Sequence, residues 1–355
     1  MNRALVDPIA NAVLYEGYIL YPYRPSIKNR QRWTFGGLYP EPYVAANAGS
    51  DAAENRTECL VHGSPETTIE AAVRFLHLTD RRVGEVDPPL ADWPATGDPP
   101  SRAVETLRVG DRLFHSWQEA EEREVVLGAV TLGDLTARPQ SLAFTFPGGR
   151  RSEPVRGTAG EVVGLLVREQ QAISGALEAS AVRAAEGLYR VTLRVANRTP
   201  MADAASKSRD DALMRTLVST HAVLGVRRGE FVSLLDPPDR WRDAAVACRN
   251  VGTWPVMVGE EGRNEMMLSS PIILYDYPQI APESQGDFFD GTEIDEMLTL
   301  RVLTMTDEEK SAMAAVDGRA GALLARVEGL AREQLHGLHG TVRSLRPTSG
   351  GGSHG

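Results

Sequence analysis

A chain of 355 residues exceeds one ordinary domain and is expected to contain two. Hydrophobic residues make up 42% of it and charged residues 24%, which is the composition of a globular protein and excludes a disordered or fibrous one. The net charge of −10 disfavours nucleic acid and anionic membranes as partners, because the summed field of the protein repels phosphate.

The sequence predicts a cytoplasmic protein without a membrane span. No segment approaches the roughly 20 consecutive apolar residues that a membrane-spanning helix needs. Asp7 and Glu16 interrupt the N-terminal stretch where a secretion signal would require an apolar run. Two cysteines, Cys59 and Cys248, are too few for a disulfide framework. Cys59 and His62 have the spacing of half a zinc site, but a strand would point them to opposite faces, so no metal is expected there.

Aromatic and basic residues are concentrated at the start of the chain. Six of the nine tyrosines fall within the first 45 residues, and residues 17–40 contain four basic side chains and no acidic one. Arginine and aromatic side chains are typical of protein interfaces, and they also bind anions. Three interpretations stay open: a core strand followed by a solvated turn, a protein interface, or a site for a small anion or nucleotide. The candidate residues for binding a partner or an anion are Tyr18, Tyr21, Tyr23, Arg24, Lys28, Arg30, Arg32 and Trp33.

A first β-rich module, including this aromatic and basic segment, is predicted for residues 1–150. Alternation of apolar and polar residues predicts a pair of strands at Glu58–Val61 and Val73–Leu78 and a hairpin over Thr106–Leu127. Glycine and proline residues at 146–154 then predict a domain boundary.

A second, sandwich-like β module is predicted for residues 155–300. Its clearest strand is Leu188–Val195, in which buried apolar residues alternate with a solvated basic face. Several short strands separated by turn residues favour a sandwich or a barrel-like sheet. The predicted short strands are Glu230–Leu235, Ala244–Cys248 and Pro271–Tyr277.

An acidic run near residue 290 offers the one candidate cation site. Its carboxylates suit a hard cation, but their spacing does not match the helix–loop–helix calcium loop. We therefore favour an exposed acidic loop over a metal site. The residues that would ligate a metal are Asp287, Asp290, Glu293 and Asp295.

A long amphipathic helix is predicted for residues 304–345. Thr306 and Glu309 form a capping box at its start, and apolar residues recur every three or four positions from Met313 to Val342. This apolar stripe could pack on the protein's own sheet, bind another protein or associate with a second copy. A disordered tail is predicted for residues 346–355. The expected fold class is thus α+β and mostly β: two sandwich or barrel-like modules with a C-terminal helix.

Three stretches together resemble uncharacterised bacterial proteins encoded beside high-affinity uptake NiFe hydrogenases. They are VLYEGYILYPYRPSIKNRQRWTFGGLYP at residues 13–40, ECLVHG with VRFLHL at residues 58–78, and SSPIILYDYPQIAPESQGDFFDGTEIDEMLTLRVLTMTDEEK at residues 269–310. The resemblance implies a cytoplasmic accessory role in hydrogenase assembly, maturation or complex formation. A hydrogenase subunit or a maturation factor would be the partner, and no functional residues carry over.

The expected function is protein–protein binding without catalysis and without a cofactor. No histidine lies in a sequence context that would activate a serine or cysteine, and no glycine-rich loop has the setting of a nucleotide site. Two alternatives stay open. The chain could be a metal-dependent enzyme that uses the acidic loop 287–296, or a small-anion or nucleotide-binding protein that uses the basic residues between 24 and 32.

Overall fold

The computed structural model describes residues 3–15 and 36–278, together with residue 325, and this part of the chain is mostly β. The strands of the first half are β1 (Glu54–Leu90), β2 (Arg102–Val104), β3 (Thr106–Val109), β4 (Arg112–His115), β5 (Trp117–Thr131), β6 (Gln140–Phe146) and β7 (Gly149–Arg156). Those of the second half are β8 (Val162–Gln170), β9 (Ile173–Ala185), β10 (Leu188–Asn197), β11 (Val218–Val232), β12 (Trp254–Met257) and β13 (Met266–Ser270). The α-helices are α1 (Asp7–Tyr15), α2 (Glu41–Ala46), α3 (Leu132–Ala137), α4 (Arg209–Leu213) and α5 (Arg242–Val246).

Strand β1 is the centre of an antiparallel sheet of 11 strands, and it changes neighbours along its 37 residues. On one side it pairs first with β11 and then with β8. On the other side it pairs first with β10, then with β5 and finally with β2. Every residue from 71 to 78 is buried, because the middle of the strand is covered on both faces. One strand thereby joins all the parts of the sheet.

A long bent hairpin folds across this sheet. Strands β6 and β7 run opposite β9 and β8, with the turn at residues 157–161. Strand β8 pairs with the end of β1, and β9 pairs with β10. The hairpin therefore extends from the part of the sheet at the end of β1 to the part that contains β10. Phe144 and Phe146 of β6 then reach Phe75 of β1, with ring centroids 5.9 and 5.8 Å away. A Cβ atom at Gly175 would lie 2.3 Å from the Phe144 ring, so glycine is required where the strands approach.

The largest hydrophobic core lies inside this curved sheet, where β1, β5, β9, β10 and β11 meet α3. Thr131 caps the N-terminus of helix α3, because its hydroxyl accepts a hydrogen bond from the Asp134 backbone N–H. Two of the smaller cores lie on the outer faces of the sheet, under α1 and α5. Helix α1 packs on β11 through Val13 and Val223, and α5 packs on Leu60 of β1.

The mostly β fold and the strand predicted at residues 188–195 are confirmed. Strand β10 buries Val191 and Leu193 and leaves Arg190 partly exposed. The hairpin predicted over Thr106–Leu127 is confirmed in its first part only: β3 and β4 pair around Gly110, which has a φ of +60°, whereas β5 pairs with β1 from Trp117 onward.

Several predicted elements differ from the structure. The strands predicted at Glu58–Val61 and Val73–Leu78 are two parts of β1 and do not pair with each other. The strand predicted at Ala244–Cys248 is wrong, because helix α5 occupies that place and buries Ala245. No strand forms at Pro271–Tyr277 either, since β13 ends at Ser270.

The predicted boundary at residues 146–154 falls between β6 and β7 and within β7. It does not separate two sheets, because β1 pairs with β8, β10 and β11 from beyond the boundary. The glycine and proline residues at 146–154 lie where the long hairpin bends, between β6 and β7 and within β7. The predicted helix at 304–345 and the tail at 346–355 lie outside the described residues, apart from residue 325.

Candidate functional site

The binding residues predicted from the sequence lie outside the part of the chain that the structure describes. These are the aromatic and basic residues Tyr18, Tyr21, Tyr23, Arg24, Lys28, Arg30, Arg32 and Trp33, and the acidic residues Asp287, Asp290, Glu293 and Asp295. Both sets therefore stay predictions. The described residues instead contain two partly buried charge clusters and a group of exposed apolar side chains that the sequence did not predict.

The first cluster is centred on Arg74 in the middle of β1. Strand pairing places Arg74 opposite His221 of β11 on one side and Glu124 of β5 on the other. Arg74 Nη2 donates hydrogen bonds to Asn11 Oδ1 of α1, at 2.8 Å, and to Glu122 Oε2, at 3.0 Å. This Arg74 cluster ties α1 to three strands. Its members are Arg3, Asp7, Asn11, Arg74, Glu122, Glu124 and His221.

His221 is the most deeply buried member of the Arg74 cluster. Its Nδ1 donates to the carbonyl oxygen of Ser219 at 3.1 Å, which leaves a lone pair on Nε2 without a hydrogen-bond partner. Burial, with a smaller contribution from the charge of Arg74, lowers the pKa of His221 to about 4, although the hydrogen bond to Ser219 and the charge of Glu124 act in the opposite direction. The imidazole is therefore neutral near pH 7. The Ser219 hydroxyl donates to Val13 O, at 3.2 Å, so it forms no catalytic pair with this histidine.

The backbone beside His221 is in an unusual conformation. Ser219 has a φ of +55°, in the left-handed region that disfavours residues with a side chain. The register between β1 and β11 shifts at the same place, between Arg74 and Leu76. A bulge of this kind re-aims side chains, and here the Ser219 side chain reaches α1.

The second cluster links four strands through alternating charges. Arg81 of β1 donates to the His115 carbonyl oxygen, at 3.0 Å, and to Glu119 Oε1 of β5, at 2.9 Å. Arg168 of β8 donates to Glu119 Oε2 and to Glu153 Oε1 of β7, both at 2.6 Å. The Arg81 and Arg168 side chains are 9% and 19% exposed, so these ion pairs are only partly screened by water. Burial, together with the charge of Arg81, lowers the pKa of His115.

The cysteines lie in environments that suppress thiolate chemistry. Burial raises the pKa of Cys248 to about 11 and also raises the pKa of Cys59, and both thiols are free. Cys59 faces the main core, whereas His62 is exposed on the opposite face and lies 3.2 Å from Glu230. Within residues 3–15 and 36–278, no three His, Cys, Asp or Glu side chains are placed to hold a metal ion.

Exposed apolar side chains are concentrated along the chain around β12, from the loop after β11 to the segment after β13. Six of the eight large apolar side chains that are exposed in the described residues fall between positions 235 and 275. Two of them, Ile273 and Tyr275, are 71% and 84% exposed, while their neighbours Ile272 and Leu274 pack toward α1. We call this set of exposed side chains the apolar margin: Leu235, Val246, Val251, Trp254, Ile273 and Tyr275.

Backbone contacts hold the apolar margin against the sheet. Val251 exchanges two backbone hydrogen bonds with Arg56 of β1, at 2.9 and 3.0 Å. Beyond β13, Tyr277 N donates to Met257 O at 2.7 Å, which brings the chain back beside β12. Ser233 Oγ donates to Asp276 Oδ2 at 2.5 Å, so the loop after β11 is joined to the same segment. The margin is therefore presented by a fixed scaffold.

No protein-family model matches the chain, and no curated protein matches its sequence. Among the described residues, no helix combines the length and the apolar character needed to cross a membrane.

Proposed function

We propose that the chain is an accessory protein of a NiFe hydrogenase system and that it acts by binding another polypeptide, not by catalysis. The hydrogenase part of this proposal rests on the resemblance carried by residues 13–40, 58–78 and 269–310. The binding part rests on one structural observation, the apolar margin beside β12. A hydrogenase subunit or a maturation factor would be the partner.

The composition of the apolar margin supports a protein partner. Single exposed apolar residues are common on protein surfaces, but a concentration of them is typical of an interaction site. Trp254 and Tyr275 are of the residue types most enriched where protein interfaces are tightest. The net charge of −10 disfavours nucleic acid and anionic membranes as the occupant.

The partner would contact side chains and not extend the sheet at β12. Pro255 has no backbone N–H to donate. Met257 already donates its N–H to Asp276 Oδ1, at 2.8 Å, and accepts from Tyr277 N. Because the outer edge of β12 is occupied, binding by addition of a partner strand is disfavoured. The exposed rings and aliphatic side chains supply the contact instead.

Affinity capture from native lysate tests the proposal. The tagged full chain is compared with the double variant Ile273→Ser, Tyr275→Ser and with a matched control, Val126→Ser, Val182→Ser. The control removes exposed apolar surface outside the margin, where Val126 and Val182 are 53% and 48% exposed.

We expect the wild type and the control to retain a hydrogenase subunit or maturation factor in near-stoichiometric amounts. The margin variant should retain at least about tenfold less, because two interface anchors are worth more than about 1.4 kcal/mol together. Recovery of no hydrogenase polypeptide by the wild type would overturn the hydrogenase assignment. Equal recovery by the margin variant would overturn the role of the margin.

A further inference from the structure

Within the described residues, four strands of the large sheet run for four or more residues and pair on one side only: β5, β6, β7 and β12. An unpaired strand edge can add a strand from another chain, and proteins usually block such edges with charge, proline or covering groups. Three of these four edges are blocked. At β12, Pro255 and the bonds from Asp276 and Tyr277 to Met257 close the edge.

Charge and proline block β5 and β7. The first half of β5 carries five charged residues in six positions, Glu119, Glu121, Glu122, Arg123 and Glu124. Strand β7 contains Pro154 together with Arg150, Arg151 and Arg156. A second strand laid on either edge would bring like charges together or meet a residue that cannot donate.

Strand β6 carries none of these protections. Its sequence, Gln-Ser-Leu-Ala-Phe-Thr-Phe over residues 140–146, has no charge and no proline. It pairs with β9 through all seven residues without a bulge. Within the described residues β9 is the only strand beside it. Ser141, Ala143 and Thr145 are exposed on its outer face.

Contacts on the inner face hold β6 in place. Phe144 and Phe146 pack on Phe75, and the Arg123 guanidinium lies 5.0 Å from the centroid of the Phe146 ring. Leu142 also packs against the main core. The open edge is therefore preorganised for a partner strand, and little conformational entropy would be lost on pairing.

We propose that β6 pairs antiparallel with β6 of a second copy of this chain, around a twofold axis at Ala143. Only one antiparallel register pairs all seven residues. It places Ala143 opposite itself, Ser141 opposite Thr145, and Leu142 opposite Phe144. Residues of the inner face then meet only residues of the inner face in the other copy.

This register is self-complementary, as a twofold interface requires. Leucine opposite phenylalanine and serine opposite threonine are favourable cross-strand pairs, and no like charges face each other. One pair of seven-residue strands lies at the small end of specific interfaces, below about 1,200 Å². A weak dimer with a micromolar dissociation constant is therefore expected.

Sedimentation velocity over a concentration series of the full chain tests this pairing. Ala143→Lys sets two lysines face to face at the twofold axis and should weaken the dimer roughly fivefold or more. Thr145→Lys is the matched control: it adds the same charge to the same exposed face, but opposite Ser141, so it should weaken the dimer much less. Circular dichroism and the melting temperature check that each variant is folded.

A charge-paired variant makes the register itself testable. The double substitution Ser141→Glu, Thr145→Lys sets opposite charges face to face at both ends of the paired strands, and it should dimerise more tightly than either single variant. A wild type that stays monomeric up to about 100 µM, well above a micromolar dissociation constant, would overturn the proposal. So would a dimer that Ala143→Lys leaves unchanged, since self-association would then use another surface, such as the predicted C-terminal helix.

Discussion

The contact between β6 and β1 makes the most demanding prediction about the fold. Replacing Phe75 with alanine removes a fully buried ring that lies 5.9 Å from Phe144 and 5.8 Å from Phe146. A phenylalanine-to-alanine change in a packed core costs about 3–5 kcal/mol. Two aromatic neighbours place Phe75→Ala in the upper part of that range, because each ring pair contributes roughly 0.5–1.5 kcal/mol beyond the buried area.

Equilibrium unfolding in urea, followed by tryptophan fluorescence and far-UV circular dichroism, measures this loss. Tyr275→Ala is the matched control, since that ring is 84% exposed and its removal should change the free energy of unfolding by less than about 0.5 kcal/mol. A double-mutant cycle of Phe75→Ala with Phe144→Ala should show a coupling of about 1 kcal/mol. A loss below about 1 kcal/mol for Phe75→Ala, or no coupling to Phe144, would refute the packing of the hairpin across the sheet.

Three further perturbations test the buried charges and thiols. The pKa of His221 is about 4 in the folded protein and roughly 6.5 in the unfolded chain, so the unfolded state binds the proton first as the pH falls. The free energy of unfolding should therefore decrease between about pH 6.5 and pH 4, by up to about 3 kcal/mol. Urea unfolding at both ends of that range should show a smaller loss for His221→Leu, and an identical loss would contradict the buried neutral imidazole. The thiols of Cys59 and Cys248 should not react with a thiol reagent in the native protein near pH 8 but should both react after unfolding; rapid native labelling would show that they are not protected. Glu119→Ala removes an acceptor from two arginines and should cost about 2 kcal/mol in the same urea assay, whereas Arg242→Ala, which breaks an exposed pair, should cost less than about 0.5 kcal/mol; equal effects would mean that burial adds nothing.

The sequence predicted best where one face of a strand is buried and the other is solvated. Strand β10 follows that rule, and its alternation of Val191 and Leu193 with Arg190 was sufficient to locate it. The short apolar run at Ala244–Cys248 predicts a strand wrongly, because a run of that length is compatible with the spacing of buried residues in a strand and with that in a helix. The deciding fact is that α5 packs Ala245 on β1, which is a tertiary contact.

Strand β1 could not be predicted at its full length from local pattern. Its neighbours change from β10 and β11 to β5 and β8, so its burial pattern changes along the strand. Arg74 in the run VRFLHL was one available signal, since an arginine among leucines and phenylalanine must find charged partners when it is buried. Those partners, Glu122 and Glu124, lie far away in the sequence, and only the strand pairing brings them together.

The apolar margin could not be predicted from the sequence for a similar reason. Ile273 and Tyr275 belong to an alternating segment, and the sequence does not tell which of the two sets faces the core. The position of α1 decides it, because Ile272 and Leu274 pack beside that helix. The alternate residues, Ile273 and Tyr275, are therefore exposed to solvent.

Site-specific photo-crosslinking at position 275 tests the central claim most directly. Tyr275 is replaced in the producing cell by a photoreactive phenylalanine analogue, and the same analogue is placed at Val126 as a control outside the margin. The account predicts a covalent adduct between position 275 and a hydrogenase subunit or maturation factor, and none from position 126. Irradiation that yields no adduct at 275, or adducts only with unrelated proteins, would contradict it.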